Sequence, residues 1–436
     1  MFNSFVEKKP LFIIFILLSI LLNIGCVRTT EDIPDFTVSD TGPYMLNMTY
    51  LDLLKSKKDD PFISEEISRL ILIAEDLLLQ NYEYVTDTDR TNIPLSVDKN
   101  DYVSLARYLW PDSTGAYTIE RSGVTNPEIY QYDRPKLDRI STAIFYLSLA
   151  YFYTNHEDYA RKATVLISNW FLNEETRMNP NLNYAQIALG VDDRDNSQGI
   201  IDTIDFIKVI DSISLIYDSH YWTNSKHVEL KAWFYSFSKW IDSKYSSSSF
   251  CDENWCNNVS TWLDAQKTIY FLFTEQEDRL DSRSSIQPIE DKISLQFTAD
   301  GHQPFEDRFR SQQHYFYYNL SGYMTIALMR KQRPDFDRDW KILNSPDFGG
   351  IKPSLDVIVN HLNGVDTSDH FNQTSDFDNC RYLEILKPAA ILFEQTEYED
   401  VSRQLLYHGC SNLNISLTLP PLKWLVFEEP VNTPLF

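Results

Sequence analysis

The side chains that could do chemistry together lie in three short segments, at Asn257-Asn258, Arg308 and His314-Tyr315. An amide donates hydrogen bonds, and a planar guanidinium suits bidentate binding of a carboxylate. A phenol, with an ordinary pKa near 10, can move a proton when a nearby cation favours its phenolate. Each residue alone also has an ordinary structural explanation: a capping or glycosylated asparagine, a solvated surface charge, or one of 26 tyrosines in a core or rim.

Helical spacing of apolar residues is the strongest structural signal. Leu137, Ile140, Ile144, Leu147 and Tyr151 recur at three- and four-residue steps, as one buried helix face requires. The same pattern predicts about eleven helices, at 64–80, 137–151, 159–170, 204–218, 225–243, 259–274, 284–297, 313–331, 353–363, 381–395 and 397–408. Glycine is scarce, 12 of 436 residues, which disfavours a turn-rich β-sandwich or barrel. We therefore expect an all-α fold of antiparallel helix pairs around a common core.

Two long stretches, 84–135 and 173–202, lack helical spacing and are rich in proline, amides and aromatic residues. The second contains the acidic run Asp192-Asp193-Arg194-Asp195. Long loops inside compact domains usually carry function, and this composition suits a sugar-binding rim. Plain surface loops are the alternative.

The N-terminus resembles a secretory leader. Lys8 and Lys9 precede a short apolar run, Leu11–Ile24, that ends in Gly25-Cys26. This pattern predicts a signal peptide over residues 1–26, because a membrane span normally needs about 20 apolar residues. An uncleaved anchor and a lipoprotein cleavage box are the alternatives. We expect a secreted or periplasmic protein, membrane-anchored only if the leader is retained.

Cysteines and glycosylation motifs are compatible with export. Beyond the leader the cysteines are even in number, which allows two disulfides, with Cys251–Cys256 as the natural local pair and buried free thiols as the alternative; they are Cys251, Cys256, Cys380 and Cys410. No CxxC motif or Cys/His cluster suggests a metal site. Motifs for N-glycosylation begin at Asn47, Asn258, Asn319, Asn372 and Asn414.

The formal net charge is −24, which argues against nucleic acid and anionic lipid surfaces as partners, since both require a basic footprint. The same charge opposes a polyanionic substrate. Only a local cluster of arginines would overcome it.

Four segments resemble the alginate-lyase family of polysaccharide lyases. They are Asp101-Tyr-Val-Ser-Leu-Ala-Arg-Tyr-Leu-Trp-Pro-Asp112 with Asn126-Pro-Glu128; Asn179-Pro-Asn-Leu-Asn-Tyr-Ala-Gln186 running on to Gly199-Ile-Ile-Asp202; Asn257-Asn-Val-Ser-Thr-Trp-Leu-Asp-Ala-Gln266; and Gln303-Pro through Arg308 to His314-Tyr315 and Asn319-Leu320. Each segment alone is a weak signal, but four in the family's order, over 95–365, make a specific match. The resemblance implies an incomplete α/α toroid with a groove across one end, with residues 27–436 as a single domain.

The resemblance also implies β-elimination of a uronic-acid polymer without a metal or organic cofactor. Asn258 and Arg308 match the family residues that bind the substrate carboxylate, and Tyr315 matches the catalytic tyrosine. Arg308 would favour the phenolate of Tyr315, so that it acts as base near neutral pH. Further candidates for substrate binding are Asn257, Trp262, Gln266, Tyr184, Gln186 and His314, of which Trp262 could equally lie in the core.

Three positions depart from the family pattern. Val259 stands where the family commonly has histidine, Leu263 where tyrosine often follows the tryptophan, and Lys99-Asn100-Asp101-Tyr102 where a Lys-His-Asp-Tyr run is common. Valine cannot transfer a proton, so a mechanism that uses this histidine is unavailable. If Tyr315 both removes and returns the proton, both reacting groups must lie on one face of the ring, which favours polymannuronate or glucuronan over polyguluronate.

Two other functions fit parts of the pattern. The missing histidine and the acidic charge are compatible with a carbohydrate-binding relative of weakened activity. A glycoside hydrolase on a similar toroid would use paired carboxylates such as Asp264 and Glu306 as acid and base, although 63 acidic residues make such pairs uninformative. In each case we expect a monomer that binds a polysaccharide, an anionic one for the lyase.

Overall fold

Apolar residues at three- and four-residue steps become the buried faces of long helices. The computed structural model describes residues 33–410 except 39–41, 90–92, 94–96, 122, 192–196, 246–250, 281, 283–285, 287, 309–310, 332–350 and 372–376. The α-helices within the described residues are α1 Met48–Ser56, α2 Pro61–Leu79, α3 Asp133–Thr154, α4 Glu157–Ile167, α5 Phe206–Ile216, α6 Asn224–Lys244, α7 Asn258–Phe273, α8 Ile289–Gln296, α9 Gln312–Lys331, α10 Ile351–Leu362, α11 Leu383–Phe393 and α12 Thr396–Tyr407. Each predicted helix is present, and α1 is an additional one.

The chain divides after Asp35 into two compact units. Of the first, only residues 33–35 are described, and they are neither helix nor strand. All the described helices belong to the second unit, Phe36–Phe436. The predicted leader and the motifs at Asn372 and Asn414 lie outside the described residues, as does the acidic run at 192–195. None of the described helices is long and apolar enough to cross a membrane.

Helix α7 is the centre of the fold. Every one of its residues is buried, as expected of a helix surrounded by others, and it packs against α5, α6 and α9. Gly322 of α9 allows the closest approach, because a side chain there would meet Thr261 Cγ2 of α7 at 2.9 Å. The backbone of α9 at Gly322 therefore lies against side chains of α7. Both helices carry predicted site residues.

The two long stretches without helical spacing form short strands and short segments of 3₁₀ helix. Strand β1, Val103–Leu105, pairs in parallel with β4, Tyr184–Ile187. Strands β2, Leu109–Pro111, and β3, Tyr117–Glu120, form an antiparallel hairpin. The strands have a small apolar cluster of their own, with Ile93 and Tyr132 among its members. They fix the segment between β1 and β2 in place.

Buried polar groups tie distant segments together. The Asp211 carboxylate on α5 accepts hydrogen bonds from the backbone N–H groups of Tyr44, Met45 and Leu46, at 2.6, 3.0 and 2.8 Å. Burial raises the pKa of Asp211 to about 6 although these three donors lower it. Asp211 therefore adds a polar attachment for residues 44–46, whose Tyr44 and Leu46 side chains also pack in the main core.

Both predicted disulfides form, Cys251–Cys256 and Cys380–Cys410. Two of the glycosylation motifs lie inside the fold, since Asn258 and Asn319 are buried. The side chain of Asn47 accepts a hydrogen bond from the Tyr50 N–H and begins α1 as a helix cap.

Candidate active site

Tyr315 lies in the first turns of α9, and its half-buried hydroxyl oxygen is 3.3 Å from that of Tyr108. Tyr108 belongs to the turn between β1 and β2. Backbone hydrogen bonds hold this turn, because Arg121 N–H donates to the Tyr108 carbonyl at 2.9 Å and Asn126 N–H to the Arg107 carbonyl at 2.8 Å. The turn between β1 and β2 therefore places the Tyr108 hydroxyl group next to the Tyr315 hydroxyl group of α9.

The charge state of Tyr315 differs from the sequence-based expectation. Burial raises its pKa well above 10, the hydrogen bond with Tyr108 adds to the rise, and the negative charge of Glu306 adds further. The positive charge of Arg107 opposes this shift without cancelling it. Tyr315 is therefore a neutral phenol at pH 7 in the free protein.

The described contacts of Arg308 are with its own loop and with Asn254. Its exposed guanidinium is 4.8 Å from the centre of the Phe305 ring and donates to the Asn254 carbonyl at 3.5 Å. The cation that acts on Tyr315 is Arg107, from the turn before β2. Among the described contacts, Arg308 stacks on its own loop and does not act on Tyr315, so its predicted role at the carboxylate stays a prediction.

His314 and Arg381 add a second positively charged part of the site. An Arg381 guanidinium nitrogen lies 3.2 Å from His314 Nδ1, and the imidazole stacks on Tyr318 with centroids 5.6 Å apart. Burial, then Arg381 and Arg107, lower the pKa of His314 to about 4. Because arginine only donates, Nδ1 of the neutral ring accepts and Nε2 carries the proton. His314 therefore offers an N–H donor, and two guanidinium groups supply local positive charge on this acidic protein.

Asn258 is held from behind by Glu306. Its backbone N–H donates to Glu306 Oε1 at 2.6 Å, and its side-chain Nδ2 donates to Oε2 at 2.7 Å. Glu306 is 1% exposed, and burial raises its pKa to about 8 against the effect of both hydrogen bonds. Glu306 also raises the pKa of Tyr315 through its charge. This carboxyl group therefore links the two predicted site residues Asn258 and Tyr315.

The sequence profile of the family described as alginate lyase matches residues 86–360, more than half of the chain. The chain belongs to the alginate lyase family. A crystal structure of an alginate lyase from Bacteroides ovatus is similar, with 26% identity, a TM-score of 0.76, and coverage of 87% of this chain and 99% of that one.

Alginate lyase A1-III from Sphingomonas species A1 is more distant, at 13% identity and a TM-score of 0.48, with 83% of this chain and 91% of that one covered. No curated protein sequence matches significantly. The predicted all-α toroid is confirmed by the helical model and the Bacteroides ovatus neighbour. Family and fold make this protein a polysaccharide lyase.

Three residues predicted to bind substrate in this lyase are internal instead. Gln266 is fully buried and bonds to Thr203 and the Ile200 carbonyl. Asn257 is the N-cap of α7, with its side chain accepting from the Val259 N–H. Trp262 donates to the Tyr318 carbonyl at 3.1 Å and is 7% exposed. The physical reason is shared: α7 is surrounded on every face, so its side chains pack inward.

Tyr184 and Gln186 are half-buried on β4 of the lyase. Gln186 has a left-handed backbone with φ of 50°, and its Nε2 donates to Asp202 Oδ1 at 3.0 Å. Asp202 also acts electrostatically on Tyr318, the ring under His314. Gln186 is thus linked to the site through Asp202.

The carboxylates suggested for a hydrolase have separate partners. Asp264 forms a 2.6 Å ion pair with Lys292, both nearly buried, whereas Glu306 bonds Asn258. Neither is a solvent-accessible acid or base. This arrangement gives no support to a hydrolase mechanism on this lyase.

Sequence reasoning missed Arg107, Tyr108 and Arg381 as site residues. Arg107 and Tyr108 lie within the first family-like segment, which was a usable signal. Arg381 lies beyond the family match, and only the fold brings it to His314.

Proposed function

We propose that this lyase cleaves a uronate polymer, polymannuronate or glucuronan, by β-elimination with Tyr315 as the group that moves the proton. The observation that carries the proposal is the half-buried Tyr315–Tyr108 pair. The positive charge of nearby Arg107 lowers the pKa of Tyr315. Arg381 and the N–H of His314 extend this positive surface and suit a polyanionic chain.

The proposed reaction divides the work among these side chains. Arg107 neutralises the uronate carboxylate, which stabilises negative charge that develops at C5. Asn258 is buried and bonded to Glu306 in the free protein, so it acts on this carboxylate only if substrate binding exposes its amide. The Tyr315 phenolate removes the C5 proton, the C–H electron pair becomes the C4–C5 double bond, and the C4–O4 bond breaks. Tyr315 then gives this proton to the glycosidic oxygen, which leaves as the hydroxyl group on C1 of the neighbouring sugar. Atoms and charge balance without a further reactant.

The raised pKa of Tyr315 sets the pH dependence of this mechanism. The base form is a minor species at pH 7, and its fraction increases as pH rises. We therefore propose that activity increases into the alkaline range and that Arg107 keeps the pKa of Tyr315 from rising further.

Because one tyrosine serves as both base and acid, the C5 proton and O4 must lie on the same face of the sugar ring. Mannuronate and glucuronate, which differ only at C2, meet this condition. Guluronate, inverted at C5, requires a second base on the opposite face. Val259 is buried apolar core at the family's histidine position and cannot supply it.

The decisive experiment is an absorbance assay with polymannuronate, polyguluronate and glucuronan. Elimination creates a conjugated unsaturated uronate that absorbs in the ultraviolet, whereas hydrolysis does not. We expect an increase with polymannuronate or glucuronan. Polyguluronate as the best substrate would contradict the single-tyrosine mechanism.

A second candidate is a carbohydrate-binding relative of weakened activity. The neutral state of Tyr315 and the valine at position 259 favour it. Saturable binding of polymannuronate without an ultraviolet product at any pH from 7 to about 10, where tyrosine normally ionises, would support this candidate over the lyase reaction.

A further inference from the structure

Two histidines and an aspartate meet outside the tyrosine site. The rings of His302 and His370 stack with centroids 4.2 Å apart and planes 13° from parallel. His302 Nε2 is 3.7 Å from Asp300 Oδ2. One ligand atom from each of the three residues lies within 4.8 Å of the others.

The loops that carry these residues are held in place. The turn from Thr298 to His302 is closed by a backbone hydrogen bond of 3.0 Å, and Ser354 Oγ donates to the Gly301 carbonyl at 2.7 Å. Gly301 has a φ of +91°, and a side chain there would meet the Pro353 carbonyl carbon at 2.7 Å. This turn is therefore fitted to α10 and offers a rigid base for its side chains.

The second loop is anchored as well. His370 N–H donates to the Thr367 carbonyl at 3.0 Å, and the next residue, Phe371, is buried against Phe316. Phe316 directly follows Tyr315 in α9. The histidine pair thus belongs to two anchored loops. The loop with His302 continues to Glu306, and the loop with His370 is followed by Phe371, which packs on Phe316 next to Tyr315.

We propose that His302, His370 and Asp300 bind a divalent transition-metal ion, with Zn²⁺ as the best fit. Imidazole nitrogens with one carboxylate oxygen form a typical donor set for this ion, whereas Ca²⁺ and Mg²⁺ require oxygen ligands. The other nitrogen of His302 faces Asp307 Oδ2 at 3.8 Å. A carboxylate behind a ligating histidine orients the ring and raises its basicity, which is the arrangement that zinc-binding histidines usually have.

The side chains must rearrange to close on the ion, and the His370 ring must turn or give up the 3.0 Å hydrogen bond between its Nε2 and the Asp300 carbonyl. Zinc–ligand bonds of about 2.0–2.1 Å in a tetrahedral site place donor atoms about 3.4 Å apart. The Asp300 side chain is 68% exposed and the His302 side chain 28% exposed, so both can turn without disturbing the core. The bound ion would link the turn at 298–302 to the loop that contains His370.

Zn²⁺ binding to the purified, chelator-treated protein tests the proposal. We expect one ion per chain by equilibrium dialysis, a higher melting temperature with Zn²⁺, and neither effect with Ca²⁺. His302→Gln and His370→Gln should each weaken Zn²⁺ binding by about 10- to 100-fold or more. His156→Gln, at an exposed histidine elsewhere, is the matched control and should bind as the parent does.

The proposal is overturned by a dissociation constant weaker than about 0.1 mM. Binding that is equal in the parent and both site variants would also overturn it. Each variant is first melted without metal, and an unchanged melting temperature shows that lost binding is not lost folding. Zn²⁺ binding and the melting temperature do not depend on polysaccharide cleavage. A failure of the metal proposal is therefore distinguishable from a failure of the tyrosine mechanism.

Discussion

The hydroxyl oxygens of Tyr108 and Tyr315 lie 3.3 Å apart, one presented by a turn between short strands and the other by a long helix. The pairing matters because it contributes to the raised pKa of Tyr315, second only to burial. Both the proposed proton carrier and the hydroxyl group that raises its pKa are therefore tyrosine side chains.

Replacing Tyr315 with phenylalanine removes the proposed proton carrier without changing the shape of the ring. Loss of acid–base catalysis typically costs 10²–10⁴-fold, and we expect kcat to fall by about 10³-fold or more. The measurement is the initial rate of ultraviolet product formation from polymannuronate. Tyr407→Phe, at a residue that is 87% exposed, is the control and should retain the parent rate. Full activity of Tyr315→Phe would rule out this hydroxyl as base and acid.

Replacing Arg107 should change the pH profile of activity, whereas replacing Arg308 should not. Arg107→Gln removes the positive charge that lowers the pKa of Tyr315, so the rising limb of kcat/KM should move to higher pH. Arg308→Gln should leave this limb in place, because the Arg308 guanidinium stacks on Phe305. The reverse result would mean that Arg308 swings to the carboxylate when substrate binds.

Glu306 should make folding sensitive to pH. Its pKa is raised in the folded state from 4.5 to about 8, so the folded protein holds this proton more tightly than the unfolded chain. The contribution to stability is full below about pH 4.5 and is lost as pH rises through about 8. Urea unfolding at intervals from pH 6 to 9 should therefore show a falling free energy of unfolding.

Glu306→Gln tests the origin of this pH dependence. The amide cannot ionise, so the decline from pH 6 to 9 should flatten. The variant should also lose about 1–3 kcal/mol at pH 6, because its NH₂ group faces a donor of Asn258. Glu253→Gln, at an exposed carboxylate, should keep the parent slope. An unchanged slope in Glu306→Gln would assign the effect to other groups.

Asp211→Ala should destabilise the fold by about 2–4 kcal/mol, since the backbone N–H groups of Tyr44, Met45 and Leu46 lose a common buried acceptor. Denaturant unfolding at pH 7 measures the change. Asp218→Ala, at an exposed position two turns further on, should change stability by less than about 0.5 kcal/mol. Equal stabilities of the two variants would show that the N-terminal segment is not attached through Asp211.

Long helices were predictable from the sequence, whereas short elements were not. Helix α3 extends over 22 residues with its apolar positions in register, so periodicity identifies it with little ambiguity. Strands β1 and β4 have 3 and 4 residues, too few for an alternating pattern, and their pairing depends on residues far apart in the chain. Helix α1, with 9 residues, was also missed, although the shorter α8 was predicted.

The candidate site was predicted in part. Tyr315, His314 and Asn258 were named from motifs, but motifs carry no information on side-chain direction, so Gln266 was placed in the groove. Arg381 and the pair His302–His370 had no local signal at all. Such groups become neighbours only through helix packing, which spacing along one segment cannot reveal.

The Cys380–Cys410 disulfide has a consequence for the binding surface. Cys380 immediately precedes Arg381 in a short 3₁₀ helix, and the bond ties that helix to the chain just after α12. Through the proposed role of Arg381, a covalent tether keeps a polymer-binding cation in position where a single helical turn would otherwise fray. A thiol reductant should therefore lower the affinity for the polysaccharide at concentrations that leave the toroid folded.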